Sequence, residues 1–304
     1  MSLPNFPQFK ELTLEDKKHI DQILHTIPPY SDFIFSSLWC WNTTPVIEIS
    51  TLNNNLVLKM PDYVTNKSLM TFLGSNLIEE TINTLLEYSQ QLGLEAVLRL
   101  LPEHNFKDYD LSKLHSKYHL VEDRDNFDYI LSVDKVASMT GLYRKRNKVN
   151  LFKKNYKYKI IIEDLNQKEV QNKILKFVKD WFKNHKNPQA VNDNELIAIN
   201  KLLRHSQELN PKVMCVYVEG ELAGFSIFEL FNKEYAIHAF QKAKRDYKGI
   251  YEFLYHNLAN YLKEKKCVYL NIEQDLGIEG LRQAKLGYNP HFLKKYTITH
   301  KRSA

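Results

Sequence analysis

The sequence predicts an α/β protein built from two mixed sheets, each flanked by helices. Three observations lead there. One order of elements (hairpin, third strand, long helix, strand, short helix, strand) can be read twice along 304 residues, a length that suits two domains of ordinary size. Each repeat opens on a hairpin signal, Asn53-Asn54-Asn55 in the first and Glu219-Gly220 in the second, from residue types that accept positive φ. In the second repeat a basic turn ending in Gly249 runs straight into a long amphipathic helix.

In chain order, Thr13 and Glu15-Asp16 ahead of Ile20, Ile23 and Leu24 predict a capped helix over 12–25. The aromatic run YSDFIFSSLWCWN places Trp39 and Trp41 in the core. Strands over 46–51 and 56–60 form the first hairpin, and 69–73 is the third strand. A helix over 77–92 carries the stripe Ile78, Ile82, Leu85 and Leu86; strands over 96–101 and 127–133 complete the first unit.

Asp134 then caps a helix from about Lys135 through a basic stretch. In the second unit Ile174, Phe177, Val178, Trp181 and Phe182 mark one helix and 195–209 another, before strands over 213–218 and 221–230. Ala236, His238 and Phe240 alternate with Ile237 and Ala239 in the next strand. Ile250, Phe253, Leu254, Leu258, Tyr261 and Leu262 recur at helical spacing. A strand over 267–272, a short helix over 278–286 and a last strand over 291–299 end the chain. The expected domains are 1–134 and 155–304, with a basic inter-domain helix at 135–154 between them.

Composition narrows the function. With 43% hydrophobic and 26% charged residues the chain is a folded one, and no apolar run approaches the roughly 20 residues of a membrane span. The start MSLPNFPQFKEL has no secretory h-region. Cys40, Cys215 and Cys267 are far apart and lie in apolar stretches, as reduced core thiols do. A cytoplasmic protein, peripheral at the inner membrane face if it meets lipid, is expected. No HExxH, zinc-type Cys/His spacing, GxxxxGK[ST] or GxGxxG occurs, so metal, P-loop and dinucleotide chemistry are not expected. A net charge of +6 favours polyanions or anionic surfaces.

That charge is concentrated. The stretch LYRKRNKVNLFKKNYKYK at 142–159 has eight Lys or Arg and no acid, interleaved with Tyr143, Phe152, Tyr156 and Tyr158. A solvated helical face is the ordinary explanation, but such a face normally uses i,i+4 acidic partners. Arg144, Lys145, Arg146 and Lys148 are therefore candidates for polyanion contact, with RNA phosphates or lipid headgroups. A second basic segment, Lys244 to Gly249, places free helix-start N–H groups beside a sheet. Lys242, Arg245, Lys248, Gly249, Tyr251 and Arg282 are the candidate donor- or phosphate-binding residues.

LYRKRNKVNLFKKNY, the HAFQKA strand with Lys248-Gly249-Ile250-Tyr251, and NIEQDLGIEGLRQAKLGYNP together resemble the C-terminal cytosolic domain of phosphatidylglycerol lysyltransferases and its free-standing relatives. The likeness spans nearly the whole chain, including YSDFIFSSLWCW. It implies a tandem GNAT-type acyltransferase fold, shared with the Fem aminoacyltransferases, with a degenerate first copy. It also implies transfer of an amino acid from aminoacyl-tRNA to an amine or hydroxyl acceptor, a lipid headgroup or a small molecule. The flippase portion of the full-length lysyltransferases has no counterpart here, which weakens the inference of a lipid acceptor.

Acyl transfer needs a base for the nucleophile and donors for the developing oxyanion. Glu273 and His238 are the candidate bases, neighbours if their strands lie side by side as GNAT topology requires. Asn271 and Gln274 are placed to orient donor or acceptor, Asp275 to cap the following helix. Glu229, near the end of an apolar strand, fits a catalytic or a structural role equally. No tightly bound cofactor is expected; the donor is aminoacyl-tRNA or acyl-CoA. Ordinary acetyltransferases carry RxxGxG/A where this chain has Arg245, Gly249 and Tyr251 as RxxxGxY, which disfavours acyl-CoA. A non-catalytic module that grips tRNA or anionic membrane is the further alternative.

Overall fold

A computed structural model describes residues 3–43, 45–62, 65–184 and 193–301. The chain forms two compact units, Met1–Asp128 with Gln274–Ile278 and Phe292–Ala304, and Tyr129–Glu273 with Glu279–His291. The first sheet contains β1 (Lys10–Glu11), β2 (Glu48–Leu52), β3 (Asn55–Pro61), β4 (Ser68–Leu73), β5 (Val97–Pro102), β6 (Tyr118–Glu122) and β14 (Lys295–His300). Its order is β1-β2-β3-β4-β5-β14-β6. The second contains β7 (Asp128–Ser132), β8 (Tyr158–Glu163), β9 (Lys212–Val218), β10 (Glu221–Leu230), β11 (Tyr235–Ala243), β12 (Tyr269–Asn271) and β13 (His291–Leu293). Its order is β13-β7-β12-β11-β10-β9-β8.

Helices α1 (Lys17–Leu24), α2 (Phe35–Trp41), α3 (Ile78–Gln91) and α4 (Leu111–Lys117) flank the first sheet. The second has α5 (Val133–Ser138), α6 (Tyr143–Asn155), α7 (Lys168–Lys183), α8 (Asp193–Arg204), α9 (Ser206–Leu209), α10 (Ile250–Glu264) and α11 (Glu279–Leu286). The two sheets match position for position. In each, three antiparallel strands lead through one long helix, α3 or α10, into a parallel neighbour, β4 to β5 and β11 to β12. Both hairpins turn as the sequence predicts, with Asn53 and Asn54 at φ 53° and 61° and Glu219 and Gly220 at 53° and 86°, the two positive φ values that a two-residue turn needs.

The expected domain boundaries need correction, because each sheet takes its sixth strand from a distant part of the chain. The stretch expected as one last strand is two: β13 stays in the second sheet, whereas β14 enters the first between β5 and β6. Conversely β7, expected to close the first unit, pairs with β12 in the second. Burial explains the placement of β14. Ile298 is fully buried in the apolar core with Leu98 and Leu101. Lys295 is fully buried, and its ammonium pairs with Asp32 and, at 3.0 Å, with Asp128. Asp128 in turn accepts from the Ser31 N–H at 2.7 Å and the Ser31 hydroxyl at 2.6 Å. Propensity marks a strand, but only these partners say in which sheet it lies.

Two local expectations also change. Trp39 and Trp41 are half-buried, while Phe33, Phe35, Leu38 and Cys40 of the same run fill the core. The basic helix is not continuous from Lys135, since Met139 and Gly141 at φ 56° and 72° break it into α5 and α6. Ser132, not Asp134, caps α5, its hydroxyl accepting from the Lys135 N–H at 3.3 Å. Both helices belong to the second unit, where the Phe152 ring of α6 stacks on Phe253 of α10 with centroids 4.4 Å apart.

Lys295→Met leaves two buried carboxylates without their counter-charge. We expect a loss of about 3–5 kcal/mol in urea unfolding, with part recovered when Asp32→Asn is added.

Candidate active site

The chemistry-bearing residues of the second unit gather where β11, β12, α6, α10 and α11 meet. Strand β11 supplies His238 and Gln241, which an unbroken strand would point to opposite faces. A bulge at Ala239, where Phe228 pairs with His238 but Ile227 with Phe240, turns them to the same side. The Gln241 Oε1 then accepts from the Ser226 hydroxyl at 2.7 Å and lies 3.1 Å from His238 Nε2. That oxygen can only accept, so Nε2 carries the hydrogen. His238 is buried against the ring of Tyr255, centroids 4.9 Å apart. Burial, reinforced by the positive charge of Lys285, drives its pKa down to about 3. As a base at neutral pH it is therefore poor.

Strand β12 pairs with β11 only from Tyr235↔Tyr269 to Ile237↔Asn271, while β11 runs on to Ala243. Two residues beyond the end of β12 stands Glu273, half-buried and in the left-handed conformation at φ 58°. Its N–H donates to Asn271 Oδ1 at 2.7 Å, and its carbonyl accepts from the Tyr129 N–H at 3.2 Å and from Lys285 Nζ at 3.1 Å. The buried Lys285 of α11 also donates to the Ile272 carbonyl at 2.6 Å. Tyr255 is held protonated well above the ordinary phenol range by burial and by the charges of Glu273 and Glu252.

Glu252, in the first turn of α10, is buried and receives Lys148 at 2.9 Å and Lys145 at 3.5 Å. Lys145 also donates to the Ala284 carbonyl at 3.0 Å and lies 4.2 Å from the centre of the Tyr288 ring. Burial, with Lys148 nearby, pulls its pKa below the ordinary lysine value, against the opposing pull of Glu252. Tyr288 packs on Tyr255 at 5.3 Å, so a continuous set of polar and aromatic groups runs from α6 to His238.

The phosphate- and polyanion-binding candidates separate into distinct places. Gly249, at φ 87°, faces α6 so closely that a Cβ there would lie 2.2 Å from the Lys148 carbonyl oxygen. The glycine thus serves a helix crossing, and the N–H groups of Lys248 and Ile250 are bonded to the Tyr156 hydroxyl and the Tyr247 carbonyl. Tyr251 turns its hydroxyl to the Ala243 carbonyl. Lys242 pairs with both Glu195 oxygens at 2.7 and 2.8 Å over the Trp181 ring. Arg282 is half-buried on α11, and Arg245 and Lys248 are exposed. Of the four basic candidates on α6, Arg144 and Arg146 face outward; Lys145 and Lys148 turn in to Glu252. Asp275 accepts from the Gly277 N–H at 2.9 Å and pairs with Arg124 at 3.2 Å. Gln274 donates to Asp32 at 2.7 Å.

Lys285, Glu252, Tyr255 and Tyr288 escaped the sequence reading. For Lys145 a signal existed. It shares a helical face with Val149 and Phe152, and a lysine on an apolar stripe is buried with a partner.

Set beside known proteins, residues 25–299 match the family model described as phosphatidylglycerol lysyltransferase, C-terminal. The chain belongs to that family. Among solved structures, a conserved protein of unknown function from Bacteroides thetaiotaomicron is 24% identical with a TM-score of 0.81, over 99% of this chain and 100% of that one. L-PGS from Bacillus licheniformis is 14% identical with a TM-score of 0.59, over 100% and 95%. A tandem GNAT protein from the clavulanic acid biosynthesis pathway is 9% identical with a TM-score of 0.51, over 98% and 99%. No curated protein matches. This lysyltransferase C-terminal family member therefore has a tandem GNAT-like fold and is of the acyl- and aminoacyltransferase kind. Among its described residues no helix is long and apolar enough to cross a membrane.

Two outcomes test this geometry. Gly249→Ala forces a Cβ onto the Lys148 carbonyl at positive φ and should cost about 2–4 kcal/mol in denaturant unfolding. His238 stays neutral in the fold to about pH 3 but protonates near 6.5 when unfolded. The unfolded chain then binds the extra proton, so its contribution to stability is complete above pH 6.5 and is lost as pH falls towards 3. Urea midpoints measured across that window should fall more steeply for the wild type than for His238→Gln.

Proposed function

We propose that the second unit transfers an aminoacyl group from aminoacyl-tRNA to an amine or hydroxyl acceptor, with Glu273 as the general base. One observation carries the choice of donor: Tyr156 joins two basic segments about a hundred residues apart in sequence. Its hydroxyl accepts from the Lys248 N–H and donates to the Asp246 carbonyl, both at 3.3 Å, and its ring packs on Tyr247 at 5.1 Å. The outer face of α6, with Arg144, Arg146, Lys153 and Lys154, is thereby tied to Arg245 and Lys248. Such a surface suits a run of phosphates along an RNA stem better than one pyrophosphate. The closed approach at Gly249 speaks the same way against a CoA cradle.

In this reading the Glu273 carboxylate takes the proton of the acceptor N–H or O–H as the acceptor atom bonds to the acyl carbon. Tyr255, kept protonated, donates to the oxyanion. As the tetrahedral intermediate collapses, the ester C–O bond breaks and the departing ribose oxygen takes the proton from Glu273. His238, neutral, orients Gln241 and the Tyr255 ring. The acceptor can be a small molecule or a lipid headgroup at a membrane surface.

Lys145 and Lys148 are engaged with Glu252, so the informative variant neutralises the outward residues: Arg144→Gln, Arg146→Gln, Lys153→Gln and Lys154→Gln together. Gel-shift titration with bulk tRNA across a salt series should show at least about 100-fold weaker binding at low salt. The log–log salt slope should flatten by about 0.7–0.9 per lost contact. An unchanged slope would sink the tRNA donor and promote acyl-CoA. Glu273→Gln should abolish transfer of labelled amino acid from aminoacyl-tRNA to hydroxylamine, with a melting temperature within a few degrees of wild type.

A further inference from the structure

Glutamate is an unexpected residue at position 273. Its φ of 58° lies in the left-handed region, which costs a residue with a Cβ about 1 kcal/mol or more and glycine almost nothing. A turn needed only for chain reversal would be served by glycine without further help. This one instead keeps a carboxylate and surrounds its main chain with donors and an acceptor from three other places. Asn271, fully buried, receives the N–H at 2.7 Å. The carbonyl receives the Tyr129 N–H from β7 and the Lys285 ammonium from α11. Lys285 bridges two successive carbonyls, those of Ile272 and Glu273, and thereby holds the two peptide planes that flank residue 273. With both planes held, the torsions at 273 and the direction of its Cα–Cβ bond are set. Burying an ammonium for this purpose is expensive, and the expense makes sense where an otherwise unfavourable conformation must be kept.

We propose that Lys285 and Asn271 are positioning residues for the Glu273 carboxylate: Lys285 holds the carbonyl side of the strained residue, Asn271 its N–H side, and neither touches the reacting atoms. This rests on the reading of Glu273 as the general base. Asn271, which the sequence suggested as a group oriented towards donor or acceptor, spends its side-chain oxygen on the protein instead. Displacement of the carboxylate by about 1 Å would slow the chemical step by about 100-fold while leaving donor binding alone.

The test uses the full chain with aminoacyl-tRNA as donor and hydroxylamine as acceptor. Lys285→Met should lower kcat by about 100-fold with KM for aminoacyl-tRNA within about twofold, and Lys285→Arg, which can still donate to two carbonyls, should recover at least about tenfold of the loss. A crystal structure of Lys285→Met should show residue 273 relaxed out of the left-handed region. Should Lys285→Met fail to fold, Asn271→Leu and Asn271→Asp decide. Turnover at least about tenfold higher in the aspartate variant, which keeps an acceptor for the N–H, supports the proposal. Equal turnover in the two overturns it. Lys285→Met with kcat near wild type, or with φ at 273 unchanged, also overturns it. Glu273→Gln with wild-type turnover has a separate meaning: it removes the base assignment itself.

Discussion

The carbonyl oxygen of Lys148 occupies the space that a side chain at position 249 would need. From that one contact the arrangement of the second unit follows. Helix α6 can lie across the start of α10 only because residue 249 has no Cβ and accepts φ 87°. The crossing brings Lys145 and Lys148 onto Glu252, one turn into α10. Glu252 is then neutralised where it is buried, and Lys145 is carried inward to Tyr288 and the Ala284 carbonyl. The helix so divided presents Arg144, Arg146, Lys153 and Lys154 outward and turns the ammonium groups of Lys145 and Lys148 to Glu252.

Buried charge is handled differently in the two units. In the first, Lys295 lies between Asp32 and Asp128; burial opposes its charge, but the two carboxylates outweigh that and hold it above the ordinary lysine value. This is a closed, satisfied group at the point where the C-terminal strand enters the sheet. In the second unit Lys145 is pulled below its ordinary value, and Lys285 places its ammonium on main-chain carbonyls, where its charge helps to hold His238 neutral. Perturbed groups of the second kind are those that active sites accumulate.

The duplication, the hairpins and the helices were legible because each rests on short-range periodicity and turn chemistry. The exchanged strands were not: β7 and β14 read as strands from their own residues, but the choice of sheet depends on distant partners, β12 for β7 and, for β14, Asp128 at 167 residues from Lys295. Glu273 was readable as a polar group at a strand end, and the acid-free basic stretch was rightly taken as needing an explanation. What could not be read was that half of that explanation is Glu252, which lies 104 residues from Lys148 and comes near only through the crossing of α6 and α10. His238 looked like a base because its residue type is one; burial and Lys285, both tertiary, remove that property.

The first unit shares the scaffold of the second but differs from it at the corresponding helix start. Its topological counterpart of the β11–α10 junction is the turn from β4 to α3, where Gly74 is filled by the side chain of Asn55, whose oxygen would lie 2.3 Å from a Cβ. Asn55 also bonds Asn76 from both ends, donating to its carbonyl at 2.8 Å and accepting from its N–H at 3.1 Å. The first turn of α3 carries Glu79 and Glu80, which favour the helix dipole but repel an approaching phosphate. Glu79 is committed to Lys117 and Tyr109 within the same unit. At the second junction the single first-turn acid, Glu252, is likewise paired, here with Lys145 and Lys148 of a helix whose outer face remains basic. The two helix starts therefore differ in charge: the first carries Glu80 as a second acid, which the other does not have.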